Sequence, residues 1–136
     1  MADALAPAST ALGLVAPLVL LWLAAFFGRT LRPGQTPLIE RIARRSNPAL
    51  SEPLRRYTRR LTAIWCVYFV SAAAATAAAN WLQLAGFGQV QFAIWSGTVL
   101  LFVGERALRP ILFPGESFPG LIQQIRDTVG VWHAPR

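Results

Sequence analysis

The segment LRRYTRRLTAIWCVYFVSAAAATAAANWL, residues 54–82, decides the fold of this chain. Four arginines lie within six residues near its start, and the 22 residues that follow, 61–82, carry no charge. A helix that crosses a membrane needs about 20 mostly apolar residues, so this segment is long enough. Ser51 and Glu52 just before it are typical of a helix start. We predict one continuous helix with a cationic end.

Two more apolar segments flank this one. Residues 11–27 and 84–104 are uncharged over 17 and 21 positions, and the first lacks the basic start of a signal peptide. The chain is 54% hydrophobic and 14% charged, whereas about a quarter of the residues in soluble domains are charged. We therefore predict an all-α membrane protein: three transmembrane helices, at about residues 10–28, 61–82 and 86–105, plus short amphipathic interfacial helices. Residues 1–136 then form a single membrane domain.

The arginines indicate how the chain lies in the membrane. Residues 28–60 hold nine arginines and two glutamates, which leaves +7, the net charge of the whole protein. The basic loops of membrane proteins stay in the cytoplasm. The arginine-rich loop 29–60 and the tail 106–136 are therefore expected on the cytoplasmic side of a bacterial inner membrane. The N-terminus is expected in the periplasm.

The loop contains a helix signal of its own, TPLIERIARRSNP at residues 36–48. Thr36 is the expected cap, Pro37 suits the first helical position and Asn47 precedes a stopping proline. Helical spacing divides this segment into two sides. The expected apolar side holds Leu38, Ile39, Ile42 and Ala43, and the expected polar side holds Glu40, Arg41 and Arg44. Such a helix is expected to lie in the membrane interface.

The basic side chains are the main candidate binding residues. Four of them cover one arc of the long helix, opposite Leu54, Tyr57, Leu61 and Ile64, and Glu52 is spaced to pair with Arg55 or Arg56. They are expected to bind anionic lipid headgroups or an acidic protein. Nucleic acid is excluded as a partner because the cluster joins a membrane span and no recognition motif accompanies it. The candidate set is Arg41, Arg44, Arg45, Arg55, Arg56, Arg59 and Arg60.

Two further patterns concern the membrane helices. Ser71, Ala75 and Ala79 follow the small-residue spacing of packed membrane helices. They are expected to contact either the other spans of this chain or a larger membrane protein. Glu105 and Arg109 have the spacing of a helical ion pair, and an ionisable group at a membrane boundary is a candidate functional residue.

The sequence offers little for covalent chemistry. His133 is the only histidine, Cys66 is the only cysteine, and the chain has no lysine. A zinc site needs several such ligands and a catalytic triad needs an acid beside the histidine. We expect no metal, no cofactor and no enzymatic activity of its own. The tail is expected to end in a weak amphipathic helix whose apolar residues are Leu121, Ile122, Ile125, Val129 and Trp132.

Three motifs carry a resemblance to a known family: GRTLRPGQTPLIERIARR at 28–45, LRRYTRRLTAIWCVYF at 54–69 and VGERALRP at 103–110. They resemble the small inner-membrane proteins encoded in bacterial aryl-polyene (xanthomonadin-type) pigment clusters. The resemblance implies a setting, the synthesis and export of a fatty-acid-like polyene built on acyl carrier protein. The leading hypothesis is a non-catalytic membrane subunit or scaffold of that lipid synthesis. The alternatives are an accessory subunit of a lipid or polyene exporter and, less favoured, a component of an acyl- or glycosyl-transferase that uses Glu105.

Overall fold

The described part of the chain is helical. A computed structural model describes residues 6–82, 86–116, 125–126 and 129–130. Within these residues there are no strands, and the all-α prediction is confirmed. The predicted amphipathic helix of the tail lies largely outside the described residues. Four helices have both of their ends within the described residues: α1 (Ala6–Thr30), α2 (Leu38–Ser46), α3 (Glu52–Trp81) and α4 (Phe87–Leu112).

Helix α3 is the centre of the fold, because α1, α2 and α4 all pack against it. It runs without a break from the basic segment into the apolar one, as the sequence predicts. Helix α1 makes the most extensive contact and runs antiparallel to α3. The Cys66 thiol donates a hydrogen bond to the Ala24 carbonyl (3.3 Å), and the Phe27 and Phe69 rings lie 5.3 Å apart. At the other end of this interface, Gly13 lets α1 approach α3 closely, since a Cβ at position 13 would lie 2.6 Å from the side-chain amide nitrogen of Asn80.

The contact between α3 and α4 is smaller and partly polar. The Tyr68 hydroxyl donates to the Ile94 carbonyl and lies 3.1 Å from the Thr98 hydroxyl. Closer to the other end of α3, the Gln91 amide donates to the Thr76 hydroxyl at 3.2 Å. These bonds show that α3 and α4 are antiparallel, so the end of α3 lies near the start of α4.

Two of the described helices are long and apolar enough to cross a membrane, α1 over Gly13–Thr30 and α3 over Glu52–Trp81. Helix α1 continues through Pro17. Helix α4 is not one of these two within the part of the chain that the structure describes. The third of the predicted spans stays a prediction.

A tight turn brings the chain from α1 to α2. The Gln35 amide donates to the Arg32 carbonyl at 3.1 Å, with Pro33 and Gly34 between them. Gly34 has φ +80°, which glycine adopts at no steric cost, as at the third position of a type II turn. The turn directs α2 back onto the basic end of α3.

Candidate functional site

Threonines from the two neighbouring helices hold the start of α2. The first amides of a helix have no partner within it and need one elsewhere. The Leu38 amide donates to the Thr30 hydroxyl of α1 at 3.0 Å, and the Ile39 amide donates to the Thr62 hydroxyl of α3 at 3.4 Å. The expectation that Thr36 caps α2 is therefore wrong. Pro37 occupies the cap position and makes no side-chain hydrogen bond.

Glu40 anchors α2 to α3 through charge. Its side chain is only 6% exposed, although helical spacing assigned it to the polar side of α2. It accepts hydrogen bonds from Arg44 Nε at 2.9 Å and, across the interface, from Arg55 Nε at 3.2 Å. The expected polar position of Glu40 is wrong because its partner Arg55 comes from α3, and spacing within α2 shows only neighbours such as Arg44. A buried carboxylate is tolerated when such partners satisfy it.

Glu52 fixes two arginines at the start of α3. It accepts from Arg55 Nη1 at 3.3 Å and from Arg56 Nε at 3.2 Å, so the predicted pairing is confirmed for both. Ser51 occupies the cap position of α3, as predicted, but its side chain makes no capping hydrogen bond. Arg55 therefore bridges two carboxylates, Glu40 from α2 and Glu52 from its own helix.

These contacts shape an open cleft of about 170 Å³ between α2, α3 and the preceding turn, which we call the arginine cleft. Four arginines and two glutamates line it, so its lining carries a net charge of +2. Guanidinium groups bind carboxylate and phosphate oxygens through paired hydrogen bonds. The arrangement therefore favours an anionic ligand. The lining residues are Gln35, Thr36, Pro37, Glu40, Arg44, Glu52, Arg55, Arg56 and Arg59.

The seven candidate arginines fall into two groups. Arg44, Arg55, Arg56 and Arg59 line the cleft, and Arg59 also donates to the Leu31 carbonyl at 2.8 Å. The other three lie outside it. Arg41 donates to the Thr36 carbonyl at 3.5 Å, Arg45 donates to the Gly130 carbonyl at 3.1 Å, and Arg60 faces the space between α3 and α4.

Glu105 and Arg109 lie together but away from the cleft. Arg109 Nε donates to Glu105 Oε1 at 2.5 Å, and the two side chains are 7% and 9% exposed. The half-buried Tyr57 phenol of α3 lies within reach of both charges, and its ring is 5.3 Å from that of Phe113. Arg109 is paired with the Glu105 carboxylate, and the Tyr57 contact joins the start of α3 to the end of α4.

The small residues of α3 divide between two faces. Ala79 is buried, whereas Ser71 and Ala75 are exposed. The buried face of α3 that includes Ala79 also holds Ala72, Ala73 and the fully enclosed Thr76. Sequence spacing could not separate two faces that are both rich in alanine. A contact of Ser71 and Ala75 with a larger membrane protein stays a prediction.

Sequence reasoning missed the threonines. Thr58, Thr62 and Thr76 are fully enclosed, and Thr58 and Thr62 donate to backbone carbonyls of the preceding turn, those of Arg55 and Thr58. Their helical spacing with the apolar Leu54 and Leu61 is the signal that could have placed them on the buried face.

Among the described residues, no group of three or more histidine, cysteine or acidic side chains is arranged to hold a metal ion. Comparisons with protein-family models, curated proteins and solved structures found no match to this chain. The function proposed below therefore depends on the chain's own geometry, together with the resemblance given above.

Proposed function

We propose that this protein is a non-catalytic subunit of the bacterial inner membrane that docks acidic carrier proteins at the arginine cleft, in support of aryl-polyene or related fatty-acid-like lipid synthesis. The observation that carries the proposal is the convergence of Arg44, Arg55, Arg56 and Arg59 on one open cleft against only two carboxylates. The setting in polyene synthesis comes from the resemblance, and the docking chemistry comes from the cleft.

The apolar surface of the helices supports a place in the membrane. Only 17% of the most apolar stretch of α1 and 33% of that of α3 are buried inside the chain. Large side chains such as Leu18, Trp22 and Val67 face outward, at 62%, 54% and 65% exposure. Continuous apolar surface of this kind is unfavourable in water and favourable in lipid. Phe92 and Trp95 give α4 the same outward character, and we propose it as the third span.

The proposed topology puts the cleft where a soluble carrier can reach it. The loop between α1 and α3 is the most basic part of the chain, and the positive-inside rule assigns it to the cytoplasm. An acidic protein approaching this loop meets complementary charge, which speeds association and orients the encounter. Because Glu40 and Glu52 hold Arg44, Arg55 and Arg56 in place, less side-chain entropy is lost on binding.

Carrier binding by charge-reversed variants tests the proposal. The protein is reconstituted in phosphatidylcholine vesicles, which supply no anionic headgroup, and its affinity for purified acyl carrier protein is measured. The test variant is Arg56→Glu with Arg59→Glu, which spares Arg55 and its contact with buried Glu40. The control is Arg29→Glu with Arg32→Glu, which changes the net charge equally at exposed positions outside the cleft.

We expect the cleft variant to bind at least about tenfold more weakly than the control, which corresponds to about 1.4 kcal/mol. Equal binding by the two variants contradicts docking at the cleft. Displacement of the carrier by phosphatidylglycerol vesicles at low lipid concentration makes anionic lipid the ligand instead, because headgroup phosphates offer the same chemistry to arginine.

A further inference from the structure

A second concave surface lies between α3 and α4, and we call it the α3–α4 groove. It consists of two adjoining spaces of about 440 and 420 Å³, which share Tyr57, Arg60 and Leu112. The larger space runs toward the uncharged middle of the helices, and its walls are mostly aliphatic. Those walls include Leu61, Ile64, Leu100, Leu101, Leu108 and Leu112.

The charge of the groove is concentrated at one end. The smaller space, beside the start of α3, contains Arg56 and Arg60. Arg56 is already paired with Glu52 at 3.2 Å. The Arg60 side chain is exposed and makes no hydrogen bond or ion pair within the part of the chain that the structure describes. The one carboxylate on the wall, Glu105, is engaged by Arg109. Among the described residues, the groove therefore has one unpaired guanidinium, that of Arg60, at one end and apolar walls along the rest of its length.

We propose that the α3–α4 groove binds one anionic glycerophospholipid, with its phosphate on Arg60 and part of an acyl chain along the leucines of α4. This inference rests on the membrane placement in the proposed function, but the groove shares only Arg56 with the arginine cleft. The groove pairs a cation at one end with an apolar wall at the other, which matches a molecule with a charged head and an aliphatic tail. Basic pockets between membrane helices on the cytoplasmic side bind anionic headgroups in this way.

Arginine side chains suit this position. Side chains of a helix lean toward its N-terminus, which for Arg60 is the proposed cytoplasmic end of α3. Its aliphatic stem can therefore follow the apolar wall while the guanidinium reaches the headgroup level. An ion pair would remove this capacity, and the Arg60 side chain makes none with the residues that the structure describes.

Gly104 supplies a way to close the groove without disturbing the rest of the chain. It lies in the wall beside Glu105, and a Cβ built at this position meets no atom within 4 Å. A leucine side chain at position 104 would occupy space that the acyl chain needs. Gly88 is an equally open position on the same helix and does not line the groove, so Gly88→Leu is the matched control.

Lipid retention measures the proposed site directly. The full chain is purified in mild detergent, mixed with equal amounts of phosphatidylglycerol and phosphatidylcholine of identical acyl chains, and analysed by native mass spectrometry. Arg60→Gln tests the headgroup contact, and Arg32→Gln is its control. The Arg32 side chain is exposed, lies outside the groove and also makes no hydrogen bond or ion pair with the described residues. Circular dichroism verifies that each variant keeps its helices.

We expect the unmodified chain to retain one phosphatidylglycerol in preference to phosphatidylcholine, and Arg60→Gln to lower that preference about fivefold, the contribution of one arginine at an anionic surface. Arg32→Gln should keep the preference.

Gly104→Leu should lower the retention of both lipids relative to Gly88→Leu. Equal retention of the two lipids by the unmodified chain overturns the proposal, and so does an equal loss in Arg60→Gln and Arg32→Gln. Equal retention by the two leucine variants shows that the acyl chain does not lie in the groove.

The two proposals fail in different ways. Carrier affinity is measured in phosphatidylcholine alone and depends on Arg56 and Arg59, whereas lipid selectivity depends on Arg60 and the retention of either lipid depends on Gly104. Loss of selectivity with intact carrier binding refutes the groove only. A protein that is not membrane-embedded contradicts the membrane placement on which both proposals rest, and alkaline extraction of the vesicles identifies that case because the protein is then released from them.

Discussion

Replacing Glu40 with alanine should loosen α2 from the rest of the chain. The carboxylate is almost fully enclosed and receives hydrogen bonds from Arg44 and Arg55, whose side chains are 42% and 47% exposed. A hydrogen bond to a charged group contributes about 1.5–3 kcal/mol. We take the low end for each arginine, because both can rehydrate once the carboxylate is gone. Removing the buried charge also recovers part of its desolvation cost, so the expected net loss is about 2 kcal/mol.

The loss should be local, so hydrogen exchange is the appropriate assay. Amides that exchange through local opening report the free energy of that opening. At a factor of ten for each 1.4 kcal/mol, the amides of α2 should exchange about 30-fold faster in Glu40→Ala. Glu52→Ala is the control, since that side chain is 57% exposed and also pairs with two arginines. Exposed pairs contribute about 0–1 kcal/mol, so its effect should be about fivefold or less.

If α2 exchanges no faster in Glu40→Ala than in Glu52→Ala, the buried carboxylate does not hold the helix and the reasoning is refuted. Faster exchange spread evenly over α1, α3 and α4 would also refute it. That pattern would mean that the substitution destabilises the whole chain and not the docking of α2.

Two more predictions concern α3 and α4. Ala79→Leu should lower the free energy of unfolding by about 1–3 kcal/mol, because overfilling a packed site forces its neighbours apart. Ala75→Leu, on the exposed face, should change it by less than about 0.5 kcal/mol. Detergent unfolding titrations compare the two variants, and equal losses contradict the assigned faces. Glu105→Gln should cost about 3 kcal/mol by removing the charge of the carboxylate that pairs with buried Arg109. Adding Arg109→Met should recover much of that loss, and no recovery would argue against the pair.

The sequence predicts those features that depend on neighbours along the chain. Helix α3 follows from 29 residues, 54–82, that contain neither glycine nor proline, and the pairing of Glu52 follows from spacing alone. Asn47 stops α2 as predicted, because it precedes Pro48. The arginine cleft was predicted only as a set of candidate side chains, since nothing in a linear pattern shows that α2 folds back against α3.

What the sequence did not predict comes from contacts between distant segments. Thr36 looked like the cap of α2, yet Thr30 and Thr62 receive its first amides because the turn at Gly34 brings three helices together. Glu40 looked solvent-facing because its partner Arg55 lies 15 residues away. In both cases local spacing could not show which distant segment supplies the hydrogen-bond partner.

The dependence of α2 on threonines from its neighbours determines the order in which the arginine cleft can form. A helix of nine residues is marginal in isolation. The first amides of α2 find acceptors only after Thr30 at the end of α1 and Thr62 of α3 have come together. The arginine cleft is thus assembled after the helical hairpin has paired. A newly made chain would display scattered arginines but no cleft until then, so the proposed docking of a partner would require completed folding.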